Sequence, residues 1–130
     1  VCSLTTLLPD GSPHGAALHF SFSAGLLRLY FLTRNTSRKA TGLLQGERQR
    51  AAVVVGFSDE ESITFQVDGE VTAVTDRSKI SSLQEIHFAK HPKSRKYEHD
   101  PAYIFLEFTP GWWRFTDYNT KPATILSSED

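Results

Sequence analysis

One stretch of the sequence alternates between apolar and polar residues more regularly than any other. In Ile63–Ala73 the apolar side chains occupy every second position, and polar side chains lie between them. Because successive side chains of a strand point to opposite faces, this stretch predicts a long strand with one buried face. Gly69 interrupts the pattern and indicates a β-bulge or a close approach of another backbone. The chain is therefore expected to be built around a sheet.

Other segments have strand patterns and are separated by short turns. Pro9–Pro13 predicts a tight turn, because Gly11 can adopt a positive φ. Arg50–Phe57 is apolar on both faces, so both faces are expected to be covered. These patterns predict a mainly β, α+β fold: a small antiparallel β-barrel of about six strands with short helices at its openings. The other predicted strands are Ser3–Leu8, His14–Phe22, Leu26–Phe31, Ala102–Phe108 and Trp112–Tyr118.

Two short helices are predicted. The first follows the polar residues after Phe31, contains Ala40, Leu43 and Leu44 at helical spacing, and is expected to stop at Gly46. The second begins after a cap at Asp76 or Ser78 and stops before Pro92. His91–Asp100 is expected to be a mobile, basic link.

Size, charge and cysteine content limit the class of protein. The chain has 130 residues, so residues 1–130 are expected to form a single domain. A net charge of −1 gives no support for broad attraction to nucleic acid or membranes. Cys2 is the only cysteine, and no apolar run approaches membrane-spanning length, so a cytoplasmic protein is expected. Because the sequence begins at Val1 without Met, we expect a longer native chain.

A basic turn after the strand that contains Phe31 is typical of an anion-binding site. Ser37, Arg38 and Lys39 lie at the predicted start of the first helix, where unpaired N–H groups and a partial positive charge favour an anion. The hydroxyls of Thr33 and Ser37 add donors, and adjacent cations at a helix start disfavour the helix unless an anion is present. A phosphate group is one interpretation; an ordinary solvated basic turn is the other.

Several segments of the sequence, taken together, resemble the pyridoxamine 5′-phosphate oxidase-like, FMN-binding split-barrel superfamily. Asp10–His14 is similar to its opening hairpin, and Leu29–Thr33, a three-residue spacer and Ser37–Lys39 are similar to its cofactor-phosphate segment. Phe65–Glu70 resembles its long central strand, and His87–Ser94 resembles a stretch near the substrate of the oxidases. The resemblance implies a six-stranded antiparallel Greek-key split β-barrel. It also implies a homodimer with FMN in the grooves between subunits.

The resemblance also implies roles for particular residues. Arg38 and Lys39 would bind the FMN phosphate, and Ser37 and Thr33 would hydrogen-bond it or the ribityl chain. The backbone of Leu32 would lie along the flavin. On the long strand, Thr64 takes the place of a flavin-contacting Gln of the oxidases, and Gln66 could substitute for it. Trp112 or Trp113, of which we favour Trp113, would cover the flavin from the partner subunit.

The sequence departs from the oxidases on the substrate side. His14 and His19 lie roughly at the positions where the oxidases have Arg and Lys. His87 and His91 lie where the oxidases have a Tyr and an Arg. These differences argue against pyridoxamine 5′-phosphate as the substrate, and His19, His87 and His91 are candidates for lining a substrate pocket. No metal site is predicted, because spacing supplies no third ligand for a metal at the histidine pair His87 and His91.

Three functions remain open from the sequence. The first is an FMN-dependent oxidoreductase acting on a small molecule, with NAD(P)H or a deazaflavin as candidate electron partner. The second is a non-catalytic module that binds a flavin or a deazaflavin as a sensor or carrier; the choice between FMN, a deazaflavin and haem is also open. The third is a small barrel whose aromatic residues stack on oligonucleotide bases, which the near-neutral charge disfavours.

Overall fold

The computed structural model describes residues 1–44 and 47–129, and most of the strands in this range belong to one antiparallel sheet. An α-helix, α1 (Arg77–Lys90), and a 3₁₀ helix (Pro92–Tyr97) lie between the sixth and seventh strands. No helix within these residues is long and apolar enough to cross a membrane. The eight strands are β1 (Cys2–Leu7), β2 (Pro13–Leu18), β3 (Ser21–Ser23), β4 (Arg28–Arg34), β5 (Gln49–Val55), β6 (Ile63–Ala73), β7 (Tyr103–Asp117) and β8 (Thr124–Ser127).

The order of the strands explains why the sheet curls. Its order is β2-β1-β5-β6-β7-β4-β3, and β8 pairs with β7. Strands β2 and β3 thus lie at opposite ends of the sheet, yet only His19 and Phe20 separate them in the chain. The two ends must therefore approach each other, and since β2 and β3 are not paired, the barrel is split at this point, which we call the seam. The predicted antiparallel split barrel is confirmed.

The strand count differs from the expected six for local reasons. The predicted strand His14–Phe22 is interrupted at the seam, and the C-terminal segment contributes β8. Pro110 and Gly111, predicted to break the sheet, instead lie within the continuous strand β7. The register shifts between Asp68 and Gly69, so that Gly69 faces Pro110 while Asp68 faces Trp112. A bulge tolerates a residue without an N–H, and the predicted bulge at Gly69 is confirmed.

The inner face of the sheet forms the core. Leu4, Phe31, Val53, Val67 and Phe108 are almost completely buried there. On β6 the predicted alternation is present in this region, because the neighbours of Val67 on the strand are exposed. Burial of each such side chain contributes about 1.5–3 kcal/mol to stability, which makes this cluster the main source of folding free energy.

Helix α1 covers one part of the outer face of the sheet. Asp76 caps its start by accepting a hydrogen bond from the Ser78 N–H at 2.9 Å, as predicted. Its buried Leu83 packs in a cluster with residues of β4 and β7. A 2.6 Å ion pair between Lys79 and the largely buried Glu107 also joins the helix to β7. The second predicted helix is confirmed, whereas its predicted mobile continuation contains the 3₁₀ helix.

The first predicted helix is wrong: residues 35–44 form successive turns. The Ala40 N–H donates to Ser37 O at 3.0 Å and the Leu43 N–H donates to Ala40 O at 2.9 Å, both to the third residue back. The hydroxyls of Ser37 and Thr41 also bond to backbone carbonyls three residues earlier, which competes with helix formation. So short a segment gains too few helical bonds to offset nucleation. Ala40 and Leu43 are nevertheless buried, and the predicted stop at Gly46 lies outside the described residues.

Candidate functional site

The end of β4 positions the hydroxyls of the predicted phosphate segment. Thr33 faces the inside of the barrel and is 5% exposed, and its Oγ1 lies 3.2 Å from the Oγ of Ser37. Ser37 donates to Arg34 O both from its N–H, at 3.1 Å, and from its Oγ, at 2.9 Å. The strand end therefore fixes the Ser37 side chain. Thr33 and Ser37 lie together, as the sequence predicted.

The two cations of this segment have different surroundings. Lys39 is partly buried, and burial lowers the pKa of its ammonium group. Among the described residues, neither Arg38 nor Lys39 forms an ion pair with a carboxylate. Arg38 is exposed and lies near the β1–β2 turn, where its charge makes the smallest contribution to the lowered pKa of Asp10; bonds from Ser12 contribute most. A partly desolvated cation without a counter-charge favours binding of an anion.

Turns, rather than a helix, supply the backbone donors. The backbone N–H groups of Arg38 and Lys39 do not donate a hydrogen bond to any of the described residues. Backbone N–H groups that have no intramolecular acceptor can donate to an anion without any helix dipole. The predicted helix start is therefore wrong, but donors remain at the same positions.

One edge of β4 is open beside this segment. Strand β3 pairs only with Arg28, Leu29 and Tyr30, whereas β7 pairs with the other edge of β4 as far as Arg34. The side chain of Leu32 packs towards α1. Its backbone thus lies beyond the end of β3, on an edge with no strand partner among the described residues.

A cleft of about 700 Å³ crosses the outer face of β1, β5, β6 and β7. Small side chains such as Thr5 and Ala52 form its floor, while Asp68 and Trp112 are among its walls. These residues follow one cross-strand row, since Thr5 pairs with Ala52, Ala52 with Asp68, and Asp68 with Trp112. Helix α1 does not line this cleft, so this part of the outer face is open within one chain.

The predicted flavin-contacting residues of β6 share that outer face. Gln66 is exposed and pairs with Arg114, and Thr64 is partly exposed and pairs with Thr116. By strand alternation both point to the same side as Asp68. The cleft is not lined by Thr64 or Gln66, nor by Thr33 or residues 37–39. The predicted cofactor residues therefore do not share one of the described cavities of a single chain.

The two tryptophans have different positions. Trp113 packs against the core cluster and lies 6.0 Å from Phe65 between ring centroids. Trp112 lines the open cleft, with the Arg114 guanidinium 5.4 Å from its ring. Trp112 is therefore the tryptophan placed to contact a ligand on the outer face. The sequence already shows an alternation that puts Trp113 and Phe115 on one face of the strand. That alternation could have indicated that Trp112 lies on the opposite, outer face.

The three candidate substrate-pocket histidines meet at the seam. Ring centroids are 4.8 Å apart for His19 and His91, and 4.9 Å apart for His87 and His91. His87 is 2% exposed and its Nδ1 is hydrogen-bonded to Ser21 Oγ at 2.9 Å. His91 donates from Nε2 to Phe20 O at 2.8 Å. In this arrangement His87 and His91 hold the end of α1 against the start of β3, beside the seam.

Electrostatics keep the buried imidazole neutral. Burial, which contributes most, and the nearby His91, His19 and Lys90 together lower the pKa of His87 to about 4. Burial also lowers the pKa of His19. Within the described residues, no group of three or more His, Cys, Asp or Glu side chains is arranged to hold a metal ion.

Residues 1–117, nearly the whole chain, match the sequence profile described as pyridoxamine 5′-phosphate oxidase. The chain belongs to the pyridoxamine 5′-phosphate oxidase family. Among curated proteins, none matches the chain.

Solved structures of related folds agree with this family assignment. A pyridoxamine 5′-phosphate oxidase-related, FMN-binding protein from Nostoc punctiforme is 20% identical, with a TM-score of 0.70 over 97% of this chain and 78% of that one. A putative pyridoxamine 5′-phosphate oxidase from Listeria innocua is 20% identical, with a TM-score of 0.66 over 88% and 86%. A heme binding protein from Mycobacterium smegmatis is 14% identical, with a TM-score of 0.73 over 98% and 52%. At these identities the likeness establishes the fold.

Within the pyridoxamine 5′-phosphate oxidase family, this chain places its candidate residues in three separate groups. Thr33 and residues 37–39 lie at the end of β4, Thr64 and Gln66 lie on the outer face of β6, and the histidines lie at the seam. The roles of these residues in binding remain predictions.

Proposed function

We propose that this member of the family is an FMN-binding oxidoreductase in which the flavin lies at a homodimer interface and transfers hydride or electrons to a small molecule. The observation that carries the proposal is Lys39, a partly buried ammonium group that has no carboxylate partner among the described residues. A phosphate group beside it would replace the lost hydration with a charge-assisted hydrogen bond.

The surroundings of Lys39 suit the phosphate end of FMN. Arg38 offers a planar fork of N–H donors, and the hydroxyls of Thr33 and Ser37 would add donors by exchanging their present bonds for bonds to the phosphate. The free N–H groups of Arg38 and Lys39 can donate to the remaining phosphate oxygens. From this anchor the open edge of β4 leads along Leu32, where the backbone can lie against the flavin.

The outer face of the sheet supports assembly with a second copy. Ala52 and Val54 make this face of β5 apolar and are only partly buried, although both faces of this strand were expected to be covered. Trp112 and Gln66 lie on the same face. A second copy packed here would cover these residues and bring Gln66, Thr64 and Trp112 of one chain towards the phosphate segment of the other.

FMN, when bound, would supply the hydride or electron transfer, and the chain would bind and orient it. Lys39 and Arg38 would fix its phosphate end, and Trp112 would exclude water from one face. His19 is the exposed member of the histidine cluster, so it is the one placed to meet a substrate. Buried His87 would position its neighbours instead of contacting the substrate.

Flavin titration tests the proposal. The variant Arg38→Ala/Lys39→Ala is expected to weaken FMN binding by at least about a hundredfold, since each charge-assisted bond contributes roughly 1.5–3 kcal/mol. The chain contains a matched control, because Ser94, Arg95 and Lys96 repeat the same tripeptide. Lys93→Ala/Arg95→Ala, which removes one lysine and one arginine at this second tripeptide and leaves Lys96 in place, should retain the affinity of the unmodified protein. Equal affinity in all three proteins, or no FMN binding at all, would contradict the proposal.

A non-catalytic module that binds a flavin, a deazaflavin or haem is the second candidate. It is favoured by the histidine cluster, where His87 is buried and hydrogen-bonded and none of the described pockets is lined by His19, His87 or His91. Turnover with NADH or NADPH and a panel of small acceptors separates the two functions. Specific turnover would reject the binding module, whereas bound but unreactive cofactor would support it.

A further inference from the structure

Two tyrosines form a stacked pair beside the end of β4. Tyr97 ends the 3₁₀ helix and Tyr103 begins β7, and their ring centroids are 4.0 Å apart with an interplanar angle of 17°. Both side chains are partly exposed. The stack joins the 3₁₀ helix to the sheet and fixes the positions of both phenol groups.

A cation lies beside each ring of this pair. Arg34 donates from Nε to Tyr103 Oη at 3.3 Å, and its guanidinium carbon lies 5.5 Å from the ring. The Nζ of Lys96 lies 5.0 Å from the Tyr97 ring. Hydrogen bonds from Tyr103, and secondarily from Lys96, lower the pKa of the Tyr97 hydroxyl. Each phenol group of the stack therefore has a cation beside it, Arg34 at Tyr103 and Lys96 at Tyr97.

Little negative charge balances these cations. Asp100 is close enough to raise the pKa of Arg34 slightly, after the larger contribution of Tyr103. Glu98 lies 4.0 Å from Arg95, in an ion pair that does not include Lys96. Among the described residues, neither Arg34 nor Lys96 has a carboxylate within ion-pair distance.

We propose that Arg34, Lys96, Tyr97 and Tyr103 form a second anion site, which binds the phosphate group of a phosphate monoester. A guanidinium fork, an ammonium and two phenol hydroxyls offer more donors than the two oxygens of a carboxylate can accept, whereas the three oxygens of a phosphate monoester can use them. The exposed position of the stack lets the rest of such a ligand extend into solvent.

This site is next to the proposed FMN-phosphate segment but differs from it. The carbonyl of Arg34 accepts bonds from Ser37, whereas its side chain points to the tyrosine pair. The proposal therefore does not depend on FMN binding. A phosphate bound at either place would be distinguishable by which residues it requires.

Calorimetric titration with ribose 5-phosphate, AMP and adenosine tests the site. Both phosphates are expected to bind saturably, and adenosine is not. Lys96→Gln and Arg34→Gln should each weaken phosphate binding about tenfold or more, because each removes a charge-assisted bond. Lys93→Gln, on the same 3₁₀ helix but without a contact to either tyrosine, should have no effect. Tighter binding of AMP than of ribose 5-phosphate would identify a nucleotide as ligand; equal binding would identify a simpler monoester.

Three outcomes would overturn the proposal. One is equal weakening by Lys93→Gln, which would indicate only general basicity. Another is equal binding of adenosine and AMP, which would indicate stacking without a phosphate site. The third is loss of binding in Arg38→Ala/Lys39→Ala, which would place the phosphate at the other segment. Circular dichroism of each variant checks that the fold is intact.

Discussion

The Nδ1 of His87 lies 2.9 Å from the Oγ of Ser21, beside the seam of the barrel. This bond links the end of α1 to the first residue of β3, and both side chains are buried. Because the imidazole is neutral in the folded protein, its protonation is linked to unfolding.

Stability is expected to fall at acid pH. The pKa of His87 is lowered from 6.5 to about 4, so below pH 6.5 the unfolded chain binds a proton that the folded chain does not. The free energy of unfolding should therefore decrease as pH falls from 6.5 towards 4, by at most on the order of 3 kcal/mol. Urea unfolding at pH 7 and pH 4.5 measures this loss, and His87→Gln should make it smaller. An unchanged pH dependence in that variant would reject the link.

Gly69 is expected to be required at the bulge. A Cβ at this position would lie against the carbonyl oxygen of Thr109, closer than any real contact. Gly69→Ala should cost about 2 kcal/mol or more in unfolding free energy, because the two backbones must separate. Gly111→Ala is the matched control: it lies on the other strand of the same bulge, and its Cβ would be 3.7 Å from the nearest atom. Equal effects of both changes would show that backbone clash is not the cause.

Substitution of the two neighbouring tryptophans should have different effects, one on the stability of the fold and the other on FMN binding and self-association. Trp113→Ala removes a side chain packed against the core and should destabilise the protein by roughly 2–4 kcal/mol. Trp112→Ala is expected to leave thermal stability of the monomer nearly unchanged but to weaken FMN binding and self-association. Thermal unfolding, flavin titration and sedimentation measure the three quantities. A stability loss confined to Trp112→Ala would contradict the assigned orientations.

Cys2 should be unreactive in the folded protein. It is fully buried, and burial raises the pKa of its thiol to about 11, so little thiolate exists at pH 8. A thiol reagent should label it slowly in native buffer and rapidly in denaturant. Because this is the only cysteine, the labelling rate reports opening of β1. Fast labelling of the native protein would contradict the buried position.

Local patterns predicted those parts of the fold that depend on neighbouring residues. The cap at Asp76 was visible because it depends on a few adjacent positions, and the bulge was visible because Gly69 interrupts the local alternation, although its partner on β7 is distant in the sequence. The helix after Ser37 was wrong, since local hydroxyl-to-carbonyl bonds outweighed the helical spacing of Ala40 and Leu43. The cap at Asp76 and the turns after Ser37 both depend on interactions between residues close in the sequence.

The site was harder to predict where it depends on distant residues. The spacing of His87 and His91 placed them on one side of α1, but their contact with His19 arises only from the way the sheet closes at the seam. The tyrosine pair beside Arg34 likewise joins segments that are far apart in the sequence. Sequence spacing carries no information on such contacts until the topology is known.

The strand order also governs how the chain can fold during synthesis. Strand β4 acquires its main partner, β7, only after α1 and the 3₁₀ helix have been synthesised. Similarly, β1 can pair with β5 only after β5 has been synthesised. Contacts that join distant segments form slowly and leave strand edges unpaired in the meantime. The growing polypeptide therefore exposes an incomplete sheet until β7 leaves the ribosome, and it is at that stage that protection by a chaperone would matter most.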